Sequence, residues 1–251
     1  MTLPGDGWRR LRSRLAGRLP LPITHVSATS GPEARHVVTH RRRVVATTSV
    51  VGAGVLGVSL SAPPGSSRFY VLTLGAAGTW TVGGLLSGPL HLGWIEGRDR
   101  QLRRPWLTPV ATGAGAFGFF YGCALVARQI PFLRTAIRRV LAYAEQGQLP
   151  LVLATTYANA VGEEIFFRGA LYAALPRRHA VAASTGVYAL ATVTTRNPSL
   201  VLAAGVMGTL FALQRRASGG LQAPLLTHAT WSTLMVRYLP PLFAAAPGRQ
   251  R

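Results

Sequence analysis

Two adjacent carboxylates and an arginine stand inside an apolar stretch, in Val161-Gly162-Glu163-Glu164-Ile165-Phe166-Phe167-Arg168-Gly169. A charged side chain at the centre of a membrane helix costs about 2.5–3.5 kcal/mol to insert, so a cluster of them needs compensation. Spacing supplies part of it. Glu164 and Arg168 are four residues apart, roughly 40° around an α-helix, and can pair on one face. Glu163 points roughly 100° away and cannot share that arginine equally. One carboxylate is tied down, and its neighbour is left to act as a general base toward water. The alternative is an ion pair that only fixes the register of a helical bundle.

The second candidate is His228, within Pro224-Leu225-Leu226-Thr227-His228-Ala229-Thr230-Trp231-Ser232. Ser232 lies one helical turn on and shares its face, so the two present hydrogen-bonding groups to a common cavity. His91, in an apolar run close to Glu96, is a weaker candidate. His25, His36, His40 and His179 fall in polar segments, where solvation is expected.

Taken together, these residues resemble the CAAX protease and bacteriocin-processing (CPBP) intramembrane protease family, which includes the type II CAAX prenyl proteases and the Abi proteins. The resemblance rests on Glu163-Glu164-x-x-x-Arg168-Gly169, on Gly219-Gly220-Leu221-x-x-Pro224, and on His228 with Ser232 four residues later. It implies that Glu163 activates the hydrolytic water, that Glu164 and Arg168 order the site, and that His228 helps stabilise the oxyanion. It also implies a peptide or lipidated protein as substrate. The family is commonly described as metal-dependent, which makes Glu163 and His228 the candidate ligands of a divalent ion such as zinc. The sequence departs from the family pattern in two places. Ser232 stands where the last motif has Asn. The middle motif, Phe-x-x-x-His, falls on Tyr188-Ala189-Leu190-Ala191-Thr192, so Thr192 occupies the place of the histidine. A threonine hydroxyl can hydrogen-bond a water but cannot take its proton near neutral pH. Thr192 is expected to face the same cavity as Glu163 and His228, in an impaired site.

The elements that must position these groups are apolar helices. Only 14% of the residues are charged; all 27 basic ones are Arg, against 7 acidic ones, for a net charge of +20. The arginines sit in short clusters between apolar runs and form no stripe interleaved with aromatics, which argues for membrane edges and against nucleic-acid binding. The single cysteine, Cys123, excludes an intramolecular disulfide framework. Residues 1–43 form an Arg-rich polar tail. Apolar runs follow at 44–62, 69–95, 106–127, 149–175, 180–195 and 199–213, and a last begins near 221. Threading them with alternating sides puts the N-terminus and the clusters at 98–104, 177–178 and 215–216 together, on the cytoplasmic side. The amphipathic segment 128–148 then falls on the opposite side from those clusters. Gly84 with Gly88, and Gly118 with Gly122, are small pairs suited to close helix approach.

The expected protein is therefore an all-α, polytopic membrane bundle of six to eight transmembrane helices. A tail at 1–43 precedes a membrane domain at 44–243, with a family-like core at 149–236, and a short tail at 244–251 ends the chain. It is expected in the cytoplasmic membrane with its N-terminus cytoplasmic. The leading function is peptide-bond hydrolysis by a Glu-activated water. Two alternatives are a non-cleaving member that binds a membrane protein or acts in immunity, and a small transporter using the Glu pair as a proton relay.

Overall fold

The computed structural model describes residues 33–96 and 101–244. Most of the expected N-terminal tail, residues 97–100 of the charged loop, and the C-terminal tail beyond 244 lie outside the described residues. Among these residues the chain is helical apart from one short β-hairpin. Helix α1 covers Arg35–Ser59, so Arg41, Arg42 and Arg43 belong to the helix instead of preceding it. Pro63, Pro64 and Gly65 turn the chain, and the Ser66 hydroxyl accepts from Phe69 N at 3.1 Å to open α2, Ser67–Leu86.

The second apolar run thus leaves the helix well before residue 95. Gly88 takes a positive φ of 127° and Pro89 cannot continue a helical ladder, so residues 88–94 run as an extended loop. That loop leads into the hairpin, in which β1, Ile95–Glu96, pairs antiparallel with β2, Leu102–Arg103. Then come α3, Leu107–Ala127, and the amphipathic α4, Pro131–Glu145. Helix α5, Leu149–Glu163, runs directly into a π-helical stretch, Glu164–Leu171, closed by the turn Tyr172–Ala174. Helices α6, Ala180–Val193, α7, Pro198–Ser218, α8, Gln222–Tyr238, and the short α9, Pro240–Phe243, complete the chain. Helix α7 has a clear start and stop. Asn197 caps its N-terminus, Pro198 occupies its first turn, and Gly219 ends it at a φ of 71°.

Hydrogen bonds fix two ends of the bundle. At one end Arg41 bonds Ser87 and Pro89, Arg42 Nε donates to Ala174 O, and Trp94 N donates to Ser218 O. Leu221 N meets His91 O there, and Gln222 Nε2 donates to Pro105 O. At the other end the Tyr143 hydroxyl lies 2.8 Å from Leu60 O and 2.9 Å from Ala62 O, sharing its one proton between them, and Asn197 Nδ2 donates to Ala136 O. Helices α1, α2, α3, the α5–π helix, α6, α7 and α8 each run between these ends. Helix α4 lies across the second end, where Leu141 packs with Ala124, Leu239 and Phe243. Arg134, Arg138 and Arg139 are therefore separated from the other basic clusters because they ride on a helix that caps the far end, where Arg128 ends α3.

The outer faces are apolar: Val71, Leu107, Leu190 and Leu202 are all largely exposed. Helices α2, α3 and α7 are each long and apolar enough to cross a membrane, and α6 is a shorter apolar helix. Inside, Trp80 of α2 packs on Phe166 and Phe167 of the π-helical stretch, with Val45 and Ala191 beside them. Close approach depends on Gly84, against Ile165, and on Gly162, where a Cβ would fall 2.6 Å from Ala77 O. Among the described residues nothing lies within 4 Å of a Cβ at Gly118 or Gly122, so the expected close helix approach is not made there. Helix α3 instead turns Gly113 toward Thr227 and Thr230 of α8. Gly162→Ala should cost about 1–3 kcal/mol by overpacking against α2. Gly118→Ala, in open space inside α3, should leave stability unchanged or raise it by up to about 1 kcal/mol. Thermal unfolding of the two variants in detergent checks the contrast.

Candidate functional site

The Glu pair straddles a change of winding. Glu163 is the last α-helical residue of α5, and Glu164 opens the π-helical stretch that carries Arg168. π-Helical turns are rare and occur frequently at functional sites, because the wider turn re-aims side chains and carbonyls. Here Arg215 of α7 donates its Nε to Arg168 O at 2.8 Å, anchoring the stretch from outside. The segment is enclosed by α2, α6, α7 and α8, and Glu164 and Arg168 are almost wholly buried.

Glu164 is the hub. Its Oε1 accepts from Arg168 Nη1 at 3.3 Å and lies 3.0 Å from His228 Nδ1. The expected pairing of Glu164 with Arg168 is present, and His228 joins it from α8. Arg168 reaches further, donating Nη2 to Gly208 O at 3.2 Å. Its guanidinium lies 4.6 Å from the Tyr188 ring centroid and 5.0 Å from that of Phe211. Such faces attract a cation, and the attraction grows in a dry environment. Phe211 also stacks on the His228 ring at 4.7 Å. The carboxylate fixes one ring nitrogen of His228 and the aromatic fixes its plane, so its other nitrogen has a defined direction.

Glu163 points elsewhere, as its position one residue from Glu164 requires. Its partner is Tyr188, whose Oη donates to Glu163 Oε2 at 2.6 Å. This contact was not anticipated from the sequence. Tyr188 stands at the aromatic position of the middle motif, and a tyrosine there adds a donor that phenylalanine lacks. The signal available was a tyrosine at the position where the motif has phenylalanine.

Thr192 lies one turn further along α6 and is buried, but its Oγ1 donates back to Tyr188 O at 2.8 Å. The residue of α6 that meets Glu163 is Tyr188. Ser232 is buried one turn beyond His228 on α8. His91 is not in this cluster; it lies in the loop after α2, where its carbonyl accepts from Leu221 N.

The donor set does not suit a zinc ion. Catalytic zinc takes three protein ligands and keeps an open position. Among the described residues no group of three or more His, Cys, Asp or Glu side chains is arranged to hold a metal. Glu164 already carries a guanidinium on the oxygen facing His228, and a cation placed there would meet that charge. Glu163 and His228 alone leave the ion short of ligands.

The geometry joins two separate sequence motifs, and a comparison with known families covers the same ground. Residues 145–234 match the family model described as type II CAAX prenyl endopeptidase Rce1-like. The motif-bearing segment is Rce1-like. The match runs from the end of α4 into α8, so it takes in Glu163, Glu164, Arg168, Tyr188, Thr192, His228 and Ser232 and leaves α1 to α3 outside. It bears out the resemblance read from the Glu-Glu-x-x-x-Arg and His228 motifs. With the apolar helices it supports an integral membrane protein. Comparison with curated proteins and with solved structures gives no match.

Within the Rce1-like segment the two carboxylates should respond differently to neutralisation. Glu164→Gln strips the countercharge from a buried guanidinium and should cost about 3–5 kcal/mol of stability. Glu163→Gln keeps an acceptor for Tyr188 and should be milder. Thermal unfolding of both variants, with Tyr188→Phe as a third, tests this. Equal losses for the two glutamates would favour a purely structural role.

Proposed function

We propose that the chain is an intramembrane endopeptidase of CAAX type, which hydrolyses a peptide bond in a membrane-associated or lipidated protein. The observation that carries this reading is the division of labour between adjacent carboxylates: Glu164 is committed to Arg168 and His228, and Glu163 is committed only to a neutral hydroxyl. A carboxylate held by one neutral donor keeps lone pairs for a water and can take its proton. In this reading Glu163 is the general base. Tyr188 fixes its rotamer through Oε2, which leaves Oε1 toward the water. His228 gives its Nδ1 proton to Glu164, so it is in its doubly protonated, imidazolium form, held against that carboxylate, that its Nε2 donates to the oxygen of the scissile carbonyl as negative charge develops there. Arg168 holds Glu164 in place and stabilises the charge of the cluster. Each of these steps uses groups of this chain alone.

The second reading is a member that binds a membrane protein without cutting it. It is favoured by Thr192, which stands in place of a proton-accepting histidine and is bonded to its own helix. General acid–base assistance contributes roughly 10²–10⁴-fold, so its loss produces a slow enzyme before it produces an inert one.

Purified protein in detergent should cleave a quenched fluorescent lipidated peptide, and Glu163→Gln should abolish that cleavage while leaving the melting profile near wild type. A wild-type protein no faster than Glu163→Gln would support the binding reading. Thr192→His should raise the rate at least several-fold, and an unchanged rate would remove Thr192 from the account.

We further propose that the end carrying Arg41, Arg177 and Arg215 faces the cytoplasm, since basic residues accumulate on that side of membrane proteins. A reporter fused before Thr2 should be inaccessible from outside intact cells, and labelling from outside would reverse the topology.

A further inference from the structure

A groove of about 760 Å³ opens at the end of the bundle where α1 begins and α7 ends, and Glu163, Glu164 and His228 take no part in its walls. Its lining combines apolar side chains, among them Val38, Leu90 and Leu175, with the cations Arg104 and Arg215. Arg215 is 7% exposed. Its Nε is spent on Arg168 O and its guanidinium lies 5.3 Å from the Tyr172 ring centroid, yet no carboxylate among the described residues pairs with it. The carboxylate that lines the groove, Glu33, is taken by Arg41 at 2.6 Å. A buried guanidinium without a countercharge, set in the wall of a groove, calls for an anion supplied from outside the chain.

The surroundings indicate what that anion is attached to. Arg104 lies 3.6 Å over the half-exposed Trp94 ring and donates Nη1 to Gly93 O, which presents a second fixed cation beside an aromatic of the kind found at membrane–water boundaries. Apolar walls next to two fixed guanidinium groups, at the end of apolar helices, match a molecule with an anionic head and an acyl chain. A basic pocket between membrane helices is a recurring site for anionic head groups, and the planar fork of arginine suits phosphate oxygens.

We propose that this groove binds the phosphate of an anionic phospholipid, with Arg215 as the anchoring cation and Arg104 at its mouth. The bound head group supplies the countercharge that Arg215 lacks. Because Arg215 also holds the carbonyl of Arg168, the lipid site and the π-helical stretch share one residue. The assignment does not depend on whether the Glu pair is hydrolytic.

The test is native mass spectrometry of the full chain in detergent, titrated with phosphatidylglycerol and with phosphatidylcholine of the same acyl chains. The wild type should bind phosphatidylglycerol at least tenfold more tightly, and Arg215→Gln should remove that preference. Since Arg215→Gln also frees the Arg168 carbonyl, a second variant leaves Arg215 in place. Ala173 is exposed and lines the groove. Ala173→Trp should fill the groove and reduce phosphatidylglycerol binding at least several-fold with an unchanged melting profile. Equal binding of the two lipids, or undiminished phosphatidylglycerol binding by both variants, would overturn the proposal. Two competitors separate other sources of the anion: inorganic phosphate alone, and a short peptide with a free C-terminal carboxylate. Neither should displace the lipid at matched concentration. Displacement by phosphate would make this a free-anion site, displacement by the peptide a site for a chain terminus, and either outcome ends the lipid assignment.

Discussion

The Glu164 carboxylate, buried away from solvent with Arg168 and His228 on one oxygen, is the interaction on which the rest of the structure depends. A lone ion at this depth is strongly unfavourable, and the cost is met only while every partner stays in place. The partners come from different helices. His228 enters from α8, Gly208 O and Phe211 from α7, and Tyr188 from α6, so the charge is tolerated only when these helices are assembled around the π-helical stretch. The same cluster is both the least replaceable part of the packing and the most chemically capable.

The winding change at Glu164 follows from the same constraint. Neighbouring carboxylates in a low-dielectric interior repel each other, and the structure sends them to different partners. Glu163 turns to a neutral hydroxyl on α6, while Glu164 turns to a guanidinium and an imidazole. The π-helical stretch also places Arg168 O where Arg215 can bond it, which couples the interior cluster to the basic end of the bundle. Close helix contact at Gly84 and Gly162 brings α2 against this segment and closes it off from the apolar surroundings.

Charge is distributed between the two ends by the same logic. One end gathers Arg41, Arg42, Arg104 and Arg215 around the extended loop after α2. The other is capped by α4, whose Tyr143 hydroxyl shares its one proton between the Leu60 and Ala62 carbonyls just past α1. An amphipathic helix lying across the end of a bundle can keep its arginines in water while burying Ala136 and Leu141. The separation of basic clusters that alternating spans imply therefore has a structural cause.

The sequence by itself determined the all-helical class, the pairing of Glu164 with Arg168 and the divergence of Glu163, because helical spacing sets which side chains share a face. It also carried the Rce1-like resemblance, since both motifs are contiguous and specific in residue type. It could not determine that His228 would bond Glu164 or that the Tyr188 hydroxyl would bond Glu163. Those contacts join residues far apart in the chain, and they depend on how α6 and α8 are rotated and shifted against the π-helical stretch. One turn of shift along α6 separates a threonine from a tyrosine at the same carboxylate. The apolar run to residue 95 implied a longer second span; Gly88 and Pro89 end α2 at Leu86 instead, and the loop beyond docks onto Ser218 and Leu221. Local chemistry states where a helix must stop; only the packed bundle decides which backbone groups the released chain will meet.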